Sequence, residues 1–126
     1  MAYQEQAAAA GIRVNVVQAP TDGYWSEVWM KKDVAATRWN ERPADQALHE
    51  IYLSTAKWNE SYYKDKKLDA MLGDARRELN FDKRKAIYVA AQEHLLETTG
   101  TLIPYTVTKL IGVSSRVSNL DEVKND

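Results

Sequence analysis

Two apolar stripes at helical spacing constrain the fold of this chain more than any other feature. The first follows Asp65 and the second follows Asp82, and both aspartates are suitable N-cap residues. Apolar residues three and four positions apart lie on one face of a helix, so each stretch predicts a helix that packs on a core. The first stripe is Leu68, Met71, Leu72, Ala75 and Leu79, and the second is Ile87, Ala90, Ala91, His94 and Leu95.

The N-terminal third predicts helices alternating with strands. Residues 3–10 are good helix formers, and Gly11 follows them at a suitable C-cap position. Residues 12–17 alternate apolar and polar side chains, which is typical of a strand. A second helix is predicted over residues 24–32, and a second strand over Val34–Trp39. This order predicts a right-handed βαβ crossover with two parallel strands.

The rest of the chain is predicted to be mostly helical. Pro43 suits the first turn of a helix that carries Leu48 and Ile51 on one face. After the helix that Gly100 ends, residues 101–113 read as an extended segment at a sheet edge or as a crossing strand, because of Pro104. The polar tail from Ser118 to Asp126 is expected to fray.

Charge and composition exclude several classes of protein. The 126 residues suit one domain, and the 17 basic and 18 acidic residues give a net charge of -1. That balance argues against a nucleic-acid-binding protein, which normally carries a basic excess. The absence of cysteine excludes disulfides, thiolate catalysis and cysteine-based zinc sites. We see no signal peptide at the N-terminus, so the protein is either cytosolic or part of a longer chain.

The sequence offers no group of residues typical of an enzyme or of a metal site. His49 does not belong to an HExxH motif, and His94 lies on an apolar helix face, where a satisfied core histidine is expected. There is no Gly-x-Ser-x-Gly motif and no phosphate-binding loop. A solvated helix face is the simplest interpretation of the candidate acids Glu50, Glu60, Glu93 and Glu97. We therefore predict no enzyme activity, no metal and no cofactor.

The tryptophans and one arginine are the best candidates for binding. Trp25 and Trp29 are one helical turn apart and are predicted to be core residues. Trp39 ends the second predicted strand, where ligands bind in open α/β sheets, and either a binding or a structural role suits it. Trp58 is predicted to anchor a turn. Arg42 is either an exposed rim charge or a guanidinium that binds a ligand carboxylate.

Several motifs together resemble the family 5 extracellular solute-binding proteins, the dipeptide, oligopeptide and nickel-binding components of ABC transporters. The resemblance begins with "AAGIRVNVV", "DGYWSEVW" and "RPADQAL" and continues from "YLSTAKWNES" to "AAQEHL". No single piece is specific, but their order and spacing cover nearly the whole chain. The central signature is carried by Trp58, Asn59, Asp69, Met71, Leu72, Ala75, Asp82, Arg84, Tyr88 and Gln92, followed by Ile103 and Pro104.

The resemblance implies a fold, a function and a compartment. The fold is an α/β lobe of the class II periplasmic-binding-protein type, helix-rich with a small mixed sheet. Residues 1–126 then form a partial domain, the C-terminal part of the second of two lobes that close on the ligand. The function is uptake of peptides or related small solutes. The implied partners are the solute, the ABC permease subunits and the first lobe, and the location is the periplasm or, for a lipoprotein, the cell surface.

The resemblance also implies a ligand-binding loop after the strand that ends in Trp39. In peptide-binding members, an acidic residue of this loop pairs with the α-ammonium group of the peptide. Here Arg42 stands near the expected position of that acid, and Glu41 and Asp45 are the nearest carboxylates. The expected ligand residues are thus Trp39, Asn40, Glu41, Arg42 and Asp45. A ligand with a carboxylate, or one bound mainly by stacking on Trp39, fits this loop as well as a peptide with a free amine.

A self-contained cytosolic α/β protein-interaction module is the alternative interpretation. It predicts a closed surface and cooperative unfolding of this chain alone. The transporter interpretation predicts a longer native chain, export from the cytoplasm and an exposed apolar patch where the first lobe docks.

Overall fold

The regular elements of the protein are helices. The computed structural model describes residues 2–108, 112–114 and 116–118. Within these residues there are four α-helices and one π-helical turn, and no strand is formed. The elements are α1 (Ala2–Ala9), the π-helical turn (Tyr24–Val28), α2 (Ala44–Ile51), α3 (Lys66–Arg77) and α4 (Phe81–Thr98).

The core lies where α3 packs against α4, with α2 beside them. Leu68 and Leu72 of α3 and Ala91 of α4 are completely buried, and Leu48 of α2 completes the centre of the cluster. These residues belong to the apolar stripes and the α2 face that the sequence predicts, so the prediction of three packed helices is confirmed. Their burial supplies the main stabilisation of the fold, at about 25 cal/mol for each Å² of apolar surface removed from water.

The N-terminus of α3 agrees with the sequence, and that of α4 does not. The Asp65 side chain accepts hydrogen bonds from the backbone N–H groups of Lys67 and Leu68, as an N-cap residue does. The cap of α4 is Asn80 and not Asp82, because the Asn80 side chain accepts from the backbone N–H of Lys83. Because α3 ends at Arg77, Leu79 lies in the loop before α4 and is 91% exposed, so its predicted burial is wrong.

The predicted α/β lobe with a mixed sheet is wrong. Residues 12–17 and Val34–Trp39 form no strand, and neither do residues 101–108. A strand is stable only when its backbone groups pair with a second strand, and no described segment supplies that ladder here. The alternating side chains also reach no core, since Ile12 is 56% and Val16 is 46% exposed.

The N-terminal segment is attached to the helices by a few specific contacts. Helix α1 is followed by Gly11, which adopts the left-handed conformation (φ 76°) that the sequence predicts for a helix end. The Tyr24 hydroxyl donates to the carbonyl of Ala36, and the Tyr62 hydroxyl donates to the carbonyl of Met30 at 2.6 Å. The second contact ties the chain after the π-helical turn to the loop between α2 and α3.

The C-terminal segment leaves the helices without joining a sheet. Residues 101–108 have no regular secondary structure, and Leu102, Ile103 and Tyr105 are each at least 66% exposed. The rest of the predicted extended segment includes residues 109–111, and most of the predicted frayed tail is residues 119–126. Both lie outside the described residues. Among the helices that are described, none has the length and apolar character needed to cross a membrane.

Candidate functional site

All four tryptophans of the chain gather in one row, although they come from three separate segments. Trp25 and Trp29 come from the π-helical turn and the residue after it, where the Trp29 backbone N–H donates to the carbonyl of Tyr24 at 3.0 Å. Their ring centroids lie 5.4 Å apart in an edge-to-face arrangement. The Trp29 and Trp39 centroids are 6.4 Å apart, and those of Trp39 and Trp58 are 6.0 Å apart. These spacings are typical of favourable aromatic pairs.

A single carboxylate fixes the two central rings of this row. Glu60 accepts the indole N–H of Trp39 on one oxygen at 2.8 Å and the indole N–H of Trp29 on the other. Each is a hydrogen bond to a charged group, which is stronger than one between neutral groups. Glu60 therefore holds two segments, 31 and 21 residues away along the chain, in one geometry.

Asn59 positions Glu60 and Trp58 by organising the turn that contains them. Its amide N–H₂ donates to the carbonyls of Leu53 and Tyr63, and its amide oxygen accepts from the backbone N–H of Tyr63 and the hydroxyl of Ser61. Asn59 is only 6% exposed. These bonds satisfy the buried amide completely, so Asn59 has a structural role in the turn.

The Arg42 side chain is largely buried against the Trp39 ring. Its guanidinium carbon is 5.0 Å from the centroid of the Trp39 ring, in cation–π geometry. One terminal nitrogen, Nη1, donates to the carboxylate of Glu50. The Nε atom is buried and has no hydrogen-bond partner among the residues that the structure describes. A buried unpaired donor is unfavourable. The other terminal nitrogen, Nη2, has no hydrogen bond to a described residue and is the donor that a ligand acceptor can reach.

The tryptophan row and its neighbours enclose an open cavity of about 310 Å³. We call it the tryptophan pocket. Its walls are apolar rings, and its polar groups are few, which is the usual chemistry of a small-molecule site. The lining residues are Trp25, Trp29, Thr37, Arg38, Trp39, Arg42 and Trp58.

The structure brings two of the five expected ligand residues together. Trp39 and Arg42 both line the tryptophan pocket and contact each other. Asn40 and Glu41 are exposed and do not line it. Asp45 is not part of the lining either, because it lies in the first turn of α2 and faces α3 and α4.

Asp45 is occupied by contacts between helices. Its two carboxylate oxygens accept from Arg76 Nε and Nη2, each at 3.0 Å, in a bidentate pair. The Tyr88 hydroxyl also donates to it, and His49 lies within 3.1 Å. The hydrogen bond from Arg76, with further help from Tyr88 and the nearby charge of His49, lowers the pKa of Asp45 to about 2. In turn, burial and the Asp45 carboxylate raise the pKa of Tyr88 to about 12.

Sequence reasoning assigned three of the lining aromatic residues to other roles. Trp25 was expected in the core, but it is 63% exposed at the pocket. Trp29 was also expected in the core and Trp58 in the framework, and both line the cavity. The prediction that Glu60 lies on a solvated helix face is wrong, since it accepts from two indoles. Its position two residues after Trp58 is the signal that the sequence offers for this role.

His94 fits the structural role that the sequence predicts for it. Its Nε2 atom is 2.9 Å from the Asp65 carboxylate, and its side chain is 14% exposed. Backbone hydrogen bonds at the α3 N-cap, followed by the hydrogen bonds from His94 and Tyr63, lower the pKa of Asp65. In the described part of the chain, no group of three or more histidine and acidic side chains is arranged to hold a metal ion.

A second cavity, of about 280 Å³, lies along α4 and the start of α2. The Arg84 guanidinium covers the Phe81 ring at 5.8 Å and donates to the carbonyl of Glu78 at 3.0 Å. Tyr88 also lines this second cavity, and its hydroxyl already donates to Asp45. Because these polar groups already have partners, the tryptophan pocket is the better candidate for a ligand site.

Comparison of the chain with protein-family models, with curated proteins and with solved structures finds no match. The geometry of the pocket and the motifs of the sequence are therefore the evidence for a function.

Proposed function

We propose that this chain is the part of an ABC-importer solute-binding protein that holds the solute in the tryptophan pocket. The observation that carries the proposal is the meeting of four tryptophans from three segments around one cavity. Core tryptophans normally bury their rings, and here the rings face an open space instead. The solute is a peptide or a related small molecule with a flat apolar part.

The contacts around the pocket support binding because the walls are fixed before any ligand arrives. Glu60 holds the Trp29 and Trp39 rings, and Arg42 is held over Trp39 by its pair with Glu50. A preformed wall loses little conformational entropy on binding, so more of the contact energy appears as affinity. The ligand stacks on the indoles and gives an acceptor to Arg42.

The uptake half of the proposal is supported by the sequence motifs from Trp58 to Pro104. They resemble the family 5 solute-binding proteins in order and spacing. On this proposal the parent protein works in the periplasm or at the cell surface, delivers its solute to ABC permease subunits and closes a first lobe over the pocket. It performs no catalysis and needs no cofactor.

The contacts of Asp45 with Arg76 and Tyr88 limit the kind of peptide that the pocket can bind. A free peptide amine needs a carboxylate in the site, and Asp45 is bound by Arg76 and Tyr88 away from the pocket. Glu60 is likewise bound by two indoles. Recognition of a free α-ammonium group by this loop is therefore disfavoured.

A protein-interaction module is the second candidate, and the exposed surface favours it. Leu102, Ile103, Tyr105 and Val107 of the segment after α4 are each at least 63% exposed. Exposed apolar surface of this kind is suited to a protein partner. The first lobe of a solute-binding protein would also cover such a surface, so this observation alone does not separate the two candidates.

The size and compartment of the native protein separate them. We would fractionate native cells and probe the fractions with an antibody raised against this chain. The proposal expects a band several times larger than 14.4 kDa in the periplasmic or membrane-anchored fraction. A band near 14.4 kDa in the cytosol would contradict the uptake function and favour the interaction module.

A further inference from the structure

The charged residues that line the tryptophan pocket are both arginines. Arg42 uses Nη1 to bind Glu50, and its Nη2 has no hydrogen bond to a described residue. Arg38 also lines the cavity, and it is exposed, with no hydrogen bond or ion pair to any described residue. Two guanidinium groups with unused donors thus face one apolar space.

The nearby carboxylates are already engaged and do not line the pocket. Glu50 is paired with Nη1 of Arg42, and Glu60 accepts two indole N–H groups. Neither is among the residues that line the cavity. A ligand in the pocket therefore meets donors and positive charge, together with the faces and edges of aromatic rings.

The volume of the pocket limits the size of the ligand. At about 30 Å³ for each water, a cavity of about 310 Å³ holds about ten water molecules. That space suits one aromatic or similarly flat ring with a short substituent. A larger ligand would extend through the open side of the pocket.

We infer that the tryptophan pocket selects organic anions, with a carboxylate on a flat apolar body. This inference rests on the proposed function, since it names the ligand class of the same site. The carboxylate accepts from Arg42 Nη2 and from Arg38, and a guanidinium suits this because its N–H groups match the geometry of a carboxylate. The apolar body packs against the indole rings that line the pocket. A cationic ligand of the same shape is repelled by both arginines.

Three probes that differ only in the head group test the inference: phenylpropionate, its neutral amide and phenylpropylamine. Because all four tryptophans line the pocket, the four indole N–H signals in a two-dimensional ¹H–¹⁵N NMR spectrum report binding there directly. We expect phenylpropionate to shift these signals and to bind at least about tenfold more tightly than the amide, as hydrogen bonds to charged groups allow. The amine is expected to bind most weakly.

Three variants assign the selectivity to the arginines. Arg42→Lys keeps a cation for Glu50 but removes the second terminal nitrogen, Nη2, and Arg38→Gln removes an exposed charge without affecting a described contact. Each is expected to reduce the preference for carboxylate over amide at least about threefold. Arg13→Gln, at an exposed position that does not line the pocket, is the control and is expected to leave the preference unchanged.

Each other outcome overturns the inference. Equal or tighter binding of the amide or the amine shows that the pocket does not select anions, and the uptake function survives that result. Binding of none of the three probes at millimolar concentration also overturns it. If both arginine variants keep the wild-type preference, the arginines are not the source of the selectivity. Arg38→Gln tests this even if Arg42→Lys folds poorly. The uptake function itself fails only in the cell-fractionation experiment.

Discussion

Glu60 is the residue on which the geometry of the pocket depends most. It is the described acceptor for the indole N–H groups of both Trp29 and Trp39. A partly buried indole N–H without an acceptor is costly, so loss of the carboxylate affects both rings at once. Glu60 touches no ligand in our proposal and acts by positioning the two aromatic walls.

We expect Glu60→Gln to lower the free energy of unfolding by about 1–3 kcal/mol. The glutamine amide oxygen can accept from one indole, but its nitrogen cannot accept from the other. The free energy is measured by urea unfolding followed through tryptophan fluorescence. Glu41→Gln is the matched control, because Glu41 is exposed and has no described partner, and its effect is expected to stay within about 0.5 kcal/mol. Equal effects of the two substitutions would contradict the bridging role.

At the residue scale, the sequence identified parts of the site without showing their arrangement. Trp39 and Arg42 were selected because an aromatic residue and a guanidinium at the end of an element suit ligand binding. The contact of Glu60 with Trp29 spans 31 positions and leaves no local pattern in the sequence. Trp25 and Trp29 were one turn apart, and that spacing fits a core face and a pocket wall equally well.

The helices were predictable because their stabilising features are local. The N-cap of α3 and the stripes that contain Leu72 and Ala91 are visible over a few residues. A strand depends on a partner that a local pattern does not reveal. Residues 12–17 have the alternation of a strand, but the described contact to Val14 is a side-chain bond from Gln4 to its carbonyl. Alternation alone therefore predicted a sheet that the described residues do not form.

Asp45 is the polar link between α2 and the other two core helices. Its carboxylate binds Arg76 of α3 in a bidentate pair and accepts the hydroxyl of Tyr88 in α4. The pKa of Asp45 is about 2 in the folded protein, against about 3.9 for an unfolded aspartate. The ionised carboxylate therefore stabilises the fold above about pH 4, and this contribution is lost as the pH falls towards about 2.

We expect Asp45→Asn to weaken the pH dependence of the free energy of unfolding between about pH 4 and pH 2. The amide does not titrate, so the contribution of this link no longer changes in that window. Asp65, whose pKa is also lowered, keeps part of the dependence in both proteins. Urea unfolding at several pH values measures how the free energy of unfolding changes with pH. Asp22→Asn, at an exposed position, is the control and should keep the wild-type pH dependence. A wild-type slope in Asp45→Asn would mean that the link does not contribute.

On the scale of the whole molecule, stability is concentrated in one region. The buried cluster of Leu48, Leu68, Leu72, Ala91 and Leu95 comes from α2, α3 and α4 alone. The N-terminal segment is joined to this core by Glu60, by Tyr62 and by ring contacts. The tryptophan pocket thus lies where the N-terminal segment meets the stable helical core.

This arrangement predicts an uneven pattern of amide hydrogen exchange. Residues 68–76 and 85–95, inside α3 and α4, are expected to exchange slowest, because their helical hydrogen bonds border the buried cluster. Residues 12–20 and 101–108 are expected to exchange fastest, since they belong to no helix or strand. Saturating phenylpropionate should slow exchange in residues 25–42 and leave residues 101–108 unchanged, as measured by mass spectrometry. Slowing in residues 101–108 alone would place the ligand outside the tryptophan pocket, and equal protection along the chain would contradict a core confined to three helices.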